Sequence, residues 1–222
     1  MKAVYQIASL CGYNGSMEFY TTIHDRATAE IVEKKSRFIA SVAHVATEAE
    51  ALAFLEEIRA EHRMARHNVY AYVLREGGRV RYSDDGEPQK TAGMPTLEVI
   101  QHAHITDVIV VVTRYFGGVL LGTGGLVRAY TQATQAGLAA AETVMISRCV
   151  DVVAHLPYSL YEQAIRIGQS CNARVADTAF TDEVEVRFLM LDKEQDSLLI
   201  KMTELCRGQE DIQVSEPYDA IF

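Results

Sequence analysis

Apolar and polar positions along the first part of the chain follow two different periods, and each period predicts a type of element. Residues 29–45 (AEIVEKKSRFIASVAHV) predict either one long strand or a bent hairpin. Behind the capping box Thr47-Glu-Ala-Glu50, apolar residues recur at helical spacing and predict an amphipathic helix over about 47–63. Two strand-like runs, HNVYAYVLRE and RVRYSD, then meet at Gly77-Gly78, which is typical of a hairpin turn.

The next part of the chain alternates between turn-forming and strongly apolar segments. The segment SDDGEPQKTAGMP, residues 83–95, is turn-forming throughout, and Pro95 suits the first turn of a helix that runs to about His104. Residues 108–112 are Val and Ile only, which predicts a strand buried on both faces. A glycine-rich loop follows and leads into a predicted helix over about 125–142.

The last third of the chain has its own order of strands and helices. Alternating and helical patterns predict strands at about 148–156, 173–180, 183–190 and 212–214, and helices at about 157–170 and 192–208. This order, β-α-β-β-α-β, is the ferredoxin-like plan. We therefore predict an α+β protein of two domains, residues 1–145 and 146–222, which pack directly because no low-complexity linker separates them.

Charge is distributed unevenly between these two parts. The chain has a formal net charge of −9. Residues 1–145 contain 14 Lys and Arg against 16 Asp and Glu, whereas residues 146–222 contain 7 against 14. Because electrostatic attraction acts locally, the nearly balanced first domain can present a basic face to an anionic partner.

The composition also indicates where the protein works. No apolar stretch reaches the roughly 18 residues that a spanning helix needs. The first residues, MKAVYQIASLCG, contain a short apolar run that Gln6 interrupts, so we interpret them as a first strand rather than a signal peptide. The four cysteines show no CxxC spacing, which is typical of reduced thiols. We therefore predict a cytoplasmic protein without a membrane partner.

The glycine-rich loop is the first candidate site. TRYFGGVLLGTGGLVR, residues 113–128, holds five glycines within nine positions, but Val127 stands where a dinucleotide fingerprint needs its third glycine, and no Walker A lysine follows. One interpretation is an anion site, in which the first amides of the following helix act with Arg114 and Arg128 on a phosphate. The other is steric: small residues allow a sharp turn and close packing. The residues alone leave both interpretations open.

The acidic turn SDDGEP is the second candidate. Asp84, Asp85 and Glu87 place three carboxylates within four residues, which is compatible with a magnesium site or an acid/base pair. It is also compatible with a turn in which an Asp side chain binds its own backbone and Gly86 takes a positive φ. No neighbouring ligand pattern accompanies the carboxylates, so we favour the turn and predict no metal and no cofactor.

A group of basic and aromatic residues is the third candidate. HRMARH, residues 62–67, is followed on the predicted hairpin by arginines and tyrosines. Interleaved in this way they suit single-stranded nucleic acid, but they equally suit a plain exposed hairpin. A metal pair is not favoured, because His62 and His67 do not share one face of a helix. The hairpin residues concerned are Arg75, Arg79, Arg81, Tyr70, Tyr72 and Tyr82.

Two segments taken together resemble a known family. YSDDGEPQKTAGMPTLEVI and VVVTRYFGGVLLGTGGLVRAY, at this spacing, closely resemble the YigZ/IMPACT family. The resemblance begins at about Lys34-Lys35-Ser36-Arg37-Phe38, runs through the alanine-rich helix, and continues more weakly into the second domain. It implies that the first domain is folded like domain 2 of ribosomal protein S-five and domain 4 of elongation factor G. It implies that the second domain is similar to the last domain of that factor.

The resemblance also implies a function. The family's eukaryotic members are translation regulators that compete for an activator of a stress kinase, so the resemblance implies a translation context. The chain departs from the family pattern at three places: Arg63-Met64 replace Pro-Asp, Val69-Tyr70 replace Cys-Trp, and Lys90 replaces a glycine. Lys90 adds a cation beside the acidic turn.

We expect a translation-associated regulator that binds RNA or the ribosome through its first domain. The expected anion or nucleic-acid-binding residues are Arg114, Gly117, Gly118, Gly122, Gly124, Gly125, Arg128 and Lys90, and the motif-loop residues are His67, Asp84, Asp85 and Glu87. In such a fold the motif loop and the glycine loop lie close together. Arg114 can then pair with one of the three acids, which would make the group a structural lock rather than a binding site.

Two other functions remain as alternatives. The first is a metal-dependent hydrolase of a nucleotide or phosphate ester, in which His67, Asp84, Asp85 and Glu87 hold the ion. The second is a protein-interaction module without catalysis, whose partner is a protein.

Overall fold

A computed structural model describes residues 19–208 and 211–222. The strand predicted for the first twelve residues lies outside this range. The secondary-structure elements, in chain order, are β1 (Phe19–Ile23), β2 (Ala27–Glu33), β3 (Ser36–His44), α1 (Glu48–Glu61), β4 (His67–Val73), β5 (Val80–Ser83), α2 (Gly93–His102), β6 (Val108–Tyr115), α3 (Thr123–Ala140), β7 (Thr143–Leu156), α4 (Tyr161–Ser170), β8 (Arg174–Phe180), β9 (Val184–Leu191), α5 (Asp196–Leu205), β10 (Asp211–Val214) and β11 (Tyr218–Ile221).

The first domain is a five-stranded antiparallel sheet between helices. Its strand order is β2-β3-β6-β4-β5. One face packs against α1 through residues such as Phe54, Leu55 and Tyr72, and the other face packs against α2 and α3. The central strand β6 is buried from Val108 to Arg114, because it is covered on both faces, which confirms the prediction for residues 108–112.

Local sequence signals account for most of these boundaries. Residues 29–45 form a hairpin rather than one strand, and its turn residues Lys34 and Lys35 both have positive φ. The Thr47 hydroxyl caps α1 by accepting from the Glu50 amide, as the capping box predicts. The α3 helix begins at Thr123, two residues earlier than predicted, directly after Gly122 with φ 72°.

The second domain has the ferredoxin-like arrangement that its order of elements predicts. Its strands lie in the order β10-β7-β9-β8, all antiparallel, and α4 and α5 contribute to one core with β7 and β9. Two short strands, β1 and β11, extend the sheet along the first half of β7, and neither was predicted.

The long strand β7 joins the two parts of the molecule. Its first residues pair with β1, which precedes the first sheet in the chain, and its second half pairs with β9 in the second domain. The predicted boundary between residues 145 and 146 therefore falls inside β7, and its position stays a prediction. Within the described part of the chain, no helix is both long and apolar enough to cross a membrane.

Candidate functional site

Four loops meet at one end of the five-stranded sheet. They are the β2–β3 turn (34–35), the α1–β4 loop (62–66), the β5–α2 loop (84–92) and the β6–α3 loop (116–122), and together we call them the loop end. They meet because β3 and β4 begin opposite the residues where β6 finishes: Arg37 pairs with Tyr115, and His67 pairs with Arg114. The sequence motifs singled out above therefore converge in space.

Asp84 closes the N-terminus of α2. Its Oδ1 accepts hydrogen bonds from the amides of Ala92 (3.0 Å) and Gly93 (2.8 Å), and its Oδ2 accepts from the Lys90 amide (2.8 Å). The residue at the N-cap position, Ala92, has no side chain that can do this. A carboxylate supplied from an earlier loop thus satisfies amides that would otherwise be unpaired and complements the helix dipole.

Asp85 ties the same loop to β4 and α1. Its carboxylate accepts from the Asn68 amide (2.6 Å) and from Arg59 Nη2 (3.1 Å), while its carbonyl oxygen accepts from His67 Nδ1 (2.9 Å). Burial opposes the charge of Arg59, but Glu56 and Asp85 outweigh it and raise the pKa of the guanidinium. His67 and Asp85 therefore hold the loop in place through both the backbone and the side chains.

Glu87 lies in the interior of the domain. Its Oε1 accepts from Arg114 Nη1 (2.6 Å) and from the Tyr130 hydroxyl (2.8 Å), and the Arg114–Glu87 pair is buried, with side chains 7% and 4% exposed. Burial, reinforced by the Glu87 carboxylate, raises the pKa of Tyr130 far above its usual range, so its hydroxyl remains a donor. These contacts join the β5–α2 loop, β6 and α3.

The three carboxylates of the β5–α2 loop thus have structural roles, because they hold this loop against its neighbours. Each of the three carboxylates is engaged by protein donors, and Arg114 forms the pairing with Glu87 that the sequence raised as an alternative. Among residues 19–208 and 211–222, no three His, Cys, Asp or Glu side chains are grouped so that they could hold a metal ion. The ligand set that the hydrolase alternative assigns to His67, Asp84, Asp85 and Glu87 does not converge on one point.

The glycines of the β6–α3 loop and of the first turn of α3 serve different purposes. A Cβ on Gly117 would lie 2.0 Å from the carbonyl carbon of Lys35, so this glycine permits the β2–β3 turn to approach. Gly118 and Gly122 have φ of 82° and 72°, which L residues rarely adopt. Gly125 is tight, since its Cβ would lie 3.0 Å from the Leu121 Cβ. Gly124 differs, because a Cβ there would meet nothing within 4 Å.

The N-terminus of α3 is open, in contrast to that of α2. No side chain caps it, its first turn contains no acidic residue, and its backbone ladder begins with the Leu126 amide bonding to the Gly122 carbonyl. Thr123 and Gly124 are exposed. The helix therefore presents its leading amides and the positive end of its dipole to the surroundings.

Cations without a carboxylate partner lie on α3 and on the other loops of the loop end. Arg128 is exposed in the second turn of α3, and within the described residues it makes no hydrogen bond or ion pair. Arg114, by contrast, is occupied by Glu87, although its Nε is buried without a hydrogen-bond partner. Exposed side chains on the other loops add positive charge and form no ion pair with described residues, namely Lys34, Lys35, Arg63, Arg66 and Lys90.

Comparison with known proteins places this architecture in a family. The Impact N-terminal domain matches residues 34–138, and a domain of unknown function, DUF1949, matches residues 155–209. IMPACT family member YvyE of Bacillus subtilis (strain 168) is 37% identical over 201 residues, which cover 89% of this chain and 91% of YvyE. The chain belongs to the IMPACT family.

Two further comparisons agree with this assignment. IMPACT family member YigZ of Escherichia coli (strain K12) is 47% identical over 109 residues, 47% of this chain and 53% of the length of YigZ. The crystal structure of a hypothetical protein is 30% identical, with a TM-score of 0.59, and covers 90% of this chain and 99% of its own. Membership of the IMPACT family supports a translation-related regulatory role, as the sequence resemblance implies.

One hypothesis about this IMPACT protein is wrong. The β4–β5 hairpin does not offer a free basic and aromatic face, because Tyr70 and Tyr72 are buried and its arginines are paired. Arg79 and Arg81 both bind Glu48 at the start of α1. Arg75 binds Asp107 and Asp219. Among the described residues of the domain, the cations that form no ion pair lie at the loop end and on α3 instead.

Some residues of the loop end are not recognisable as site candidates from the sequence. Lys34 and Lys35 lie beside the glycine loop because Gly117 contacts their turn, and Phe116 and Leu120 are exposed on that loop. The lysines mark the start of the family resemblance, but only the fold shows that they join the site. An exposed apolar residue carries no sequence signal of its own, since the sequence does not distinguish apolar loop residues that face the core from those that are exposed.

Proposed function

We propose that this IMPACT-family protein is a cytosolic, translation-associated regulator whose N-terminal domain binds RNA, free or in the ribosome, through the loop end. In this proposal phosphate groups occupy the open N-terminus of α3. Arg128 and Lys90 supply full charges beside it, and Gly117, Gly118, Gly122 and Gly125 give the loop the shape that the helix start requires.

The proposal rests on the open space around Gly124 and on the uncapped amides of the same helical turn. Glycine in a helix costs up to about 1 kcal/mol relative to alanine. At this position neither packing nor φ calls for it, since a Cβ would meet nothing within 4 Å. A ligand that approaches the backbone closely accounts for a glycine there, and the uncapped amides of the same turn are the donors that a phosphate uses.

Charge supports the same conclusion. The loops of the loop end expose five cations, Arg63, Arg66, Lys34, Lys35 and Lys90, whereas the carboxylates of Asp84, Asp85 and Glu87 in the same region are each engaged by amides or cations. The loop end therefore attracts a polyanion although the chain as a whole is acidic. Arg114 stays a predicted ligand, although its charge is already paired with that of Glu87.

The test is the salt dependence of RNA binding by fluorescence anisotropy, with wild-type protein, Arg128→Gln and Arg166→Gln. Arg166 is a matched control, because it is an exposed helix arginine of the second domain. We expect Arg128→Gln to weaken binding and to reduce the slope of log K against log salt by about 0.7, the value for one phosphate contact on a single strand. We expect Arg166→Gln to leave both unchanged.

Two results would contradict RNA binding at the loop end. Absence of RNA binding at low salt would contradict the proposal, as would an Arg128→Gln slope identical to that of the wild type. Sedimentation with ribosomes through a sucrose gradient then separates the two RNA sources: comigration at low salt that is lost at high salt indicates the ribosome, and binding only to free RNA indicates another transcript.

A further inference from the structure

The β6–α3 loop presents an apolar surface next to the proposed phosphate site at the N-terminus of α3. Phe116, Val119 and Leu120 are 56%, 41% and 83% exposed, and we call them the apolar crest. Isolated exposed apolar residues are ordinary, but three within five consecutive positions of one short loop form a patch of the kind that marks a binding surface.

The crest is held in a defined position. Gly117 donates its amide to the Ser36 hydroxyl (3.1 Å) and lies against the Lys35 backbone, and Leu121 is buried at the other end of the loop. The guanidinium of Arg114 lies 5.7 Å from the centroid of the Phe116 ring and is itself fixed by Glu87. An exposed ring that is already held in position loses little conformational freedom when a ligand stacks on it.

The charges around the crest select among possible occupants. Lys34, Lys35 and Arg128 lie on the segments that flank this loop, all exposed and none paired with a carboxylate in the described part of the chain. An apolar surface set among unpaired cations is complementary to a chain that combines anionic and flat apolar groups. Single-stranded nucleic acid has this chemistry, since its bases stack on aromatic side chains while its phosphates bind cations.

We infer that the apolar crest contacts unpaired nucleobases, so that the ligand of the loop end is single-stranded or loop RNA rather than duplex RNA. The inference rests on the proposed function, because it assigns the ligand class of the same site. Double-stranded RNA does not fit the crest, since its base faces are stacked inside the helix and its major groove is deep and narrow.

The experiment compares a labelled single-stranded RNA of about 12 nucleotides with the same strand in a duplex, by anisotropy. The proteins are the wild type, Phe116→Ala, Leu120→Ser and the control Ile200→Ala, an apolar residue 61% exposed on α5. We expect the wild type to prefer the single strand. Phe116→Ala should weaken single-strand binding at least about fivefold, the lower bound for one stacked base, with the salt slope and the duplex affinity unchanged.

Each result supports or overturns the inference. Loss of single-strand affinity in both crest variants and none in Ile200→Ala supports it. Equal affinity of the wild type for strand and duplex, or crest variants that bind like the wild type, overturns it while the salt slope of Arg128→Gln still supports the proposed function. Binding to neither RNA overturns both and leaves the crest as a surface for a protein partner.

Discussion

The five glycines between Gly117 and Gly125, in the β6–α3 loop and the first turn of α3, show why residue type alone does not determine a role. Gly117 permits backbone approach, Gly118 and Gly122 supply left-handed φ, and Gly124 has open space around it. The sequence shows how densely these glycines are placed. It does not show which of them are required for steric reasons, because that depends on neighbours as distant in sequence as Lys35. The steric interpretation therefore applies to Gly117, Gly118 and Gly122, and the anion-site interpretation stays a proposal that centres on Gly124.

Substitution of the steric glycines will lower stability. Gly117→Ala brings a Cβ to within 2.0 Å of backbone atoms, so we expect a loss of about 3 kcal/mol in the free energy of unfolding. Gly122→Ala places alanine at φ 72°, which costs about 1 kcal/mol. Urea unfolding of the two variants measures both losses. A Gly117→Ala protein as stable as the wild type would contradict the close approach of the β2–β3 turn.

The buried contacts of the Glu87 carboxylate with Arg114 and Tyr130 lead to a second prediction. Glu87→Gln leaves the buried Arg114 guanidinium without its counter-charge, and we expect the free energy of unfolding to fall by about 3 kcal/mol. Tyr130→Phe removes one hydrogen bond to the same carboxylate and should cost about 1 kcal/mol. Combined in a double-mutant cycle, the two changes should cost less than their sum, because they share the Glu87 carboxylate. Strict additivity would indicate that Tyr130 and Glu87 do not interact.

At the scale of elements, the two helices that begin at the loop end differ in one respect. The N-terminus of α2 is closed by Asp84, whereas that of α3 is uncapped. The sequence placed both helix starts within about two residues. It did not show which one was capped, because Asp84 acts from nine residues before Gly93 rather than from the N-cap position, where capping residues are sought.

The first turn of α1 carries a pH-dependent contact. Hydrogen bonds from Tyr72 and then Arg81 lower the pKa of Glu48 below its usual 4.5. A carboxyl whose folded pKa is depressed contributes stability above its unfolded pKa, and this contribution is lost as the pH falls through the folded pKa. We therefore expect Glu48→Gln to be less stable than the wild type at pH 7. Thermal unfolding from pH 7 down to about pH 3 should show the difference disappear; a difference independent of pH would contradict the ionised contact.

At the scale of the whole molecule, the sequence predicted the two α+β domains and the ferredoxin-like order, and it missed β1 and β11. Both are short: FYTTI has five residues and YDAI has four. They become strands only because β7 offers them hydrogen-bonding partners, and β1 finds its partner at residues 143–147. Such non-local pairing leaves little local pattern for a sequence to show.

Arg75 connects the domains, and its removal should affect the whole molecule. It binds the buried Asp107 through its amide and Nε, both at 2.7 Å, reaches Asp219 on β11, and lies over the Tyr20 ring. We expect Arg75→Met to lower the free energy of unfolding by about 2 kcal/mol, because the Asp107 charge loses its counter-ion. Asp219→Asn, at a half-exposed site, should cost under about 1 kcal/mol. Denaturant unfolding measures both, and a larger effect of Asp219→Asn would contradict this assignment.

We propose that the open N-terminus of α3 binds phosphate, and the variant Gly124→Ala provides the sharpest test. Stability and RNA affinity should be measured on the same protein, with Gln132→Ala, an exposed position in the middle of α3, as the control. We expect Gly124→Ala to raise the free energy of unfolding by up to about 1 kcal/mol, since alanine is the better helix residue and has room. The same variant should bind RNA about tenfold more weakly, since a methyl group obstructs the charge-assisted bonds to the amides. A Gly124→Ala protein that binds RNA as tightly as the wild type would contradict phosphate binding at this helix end.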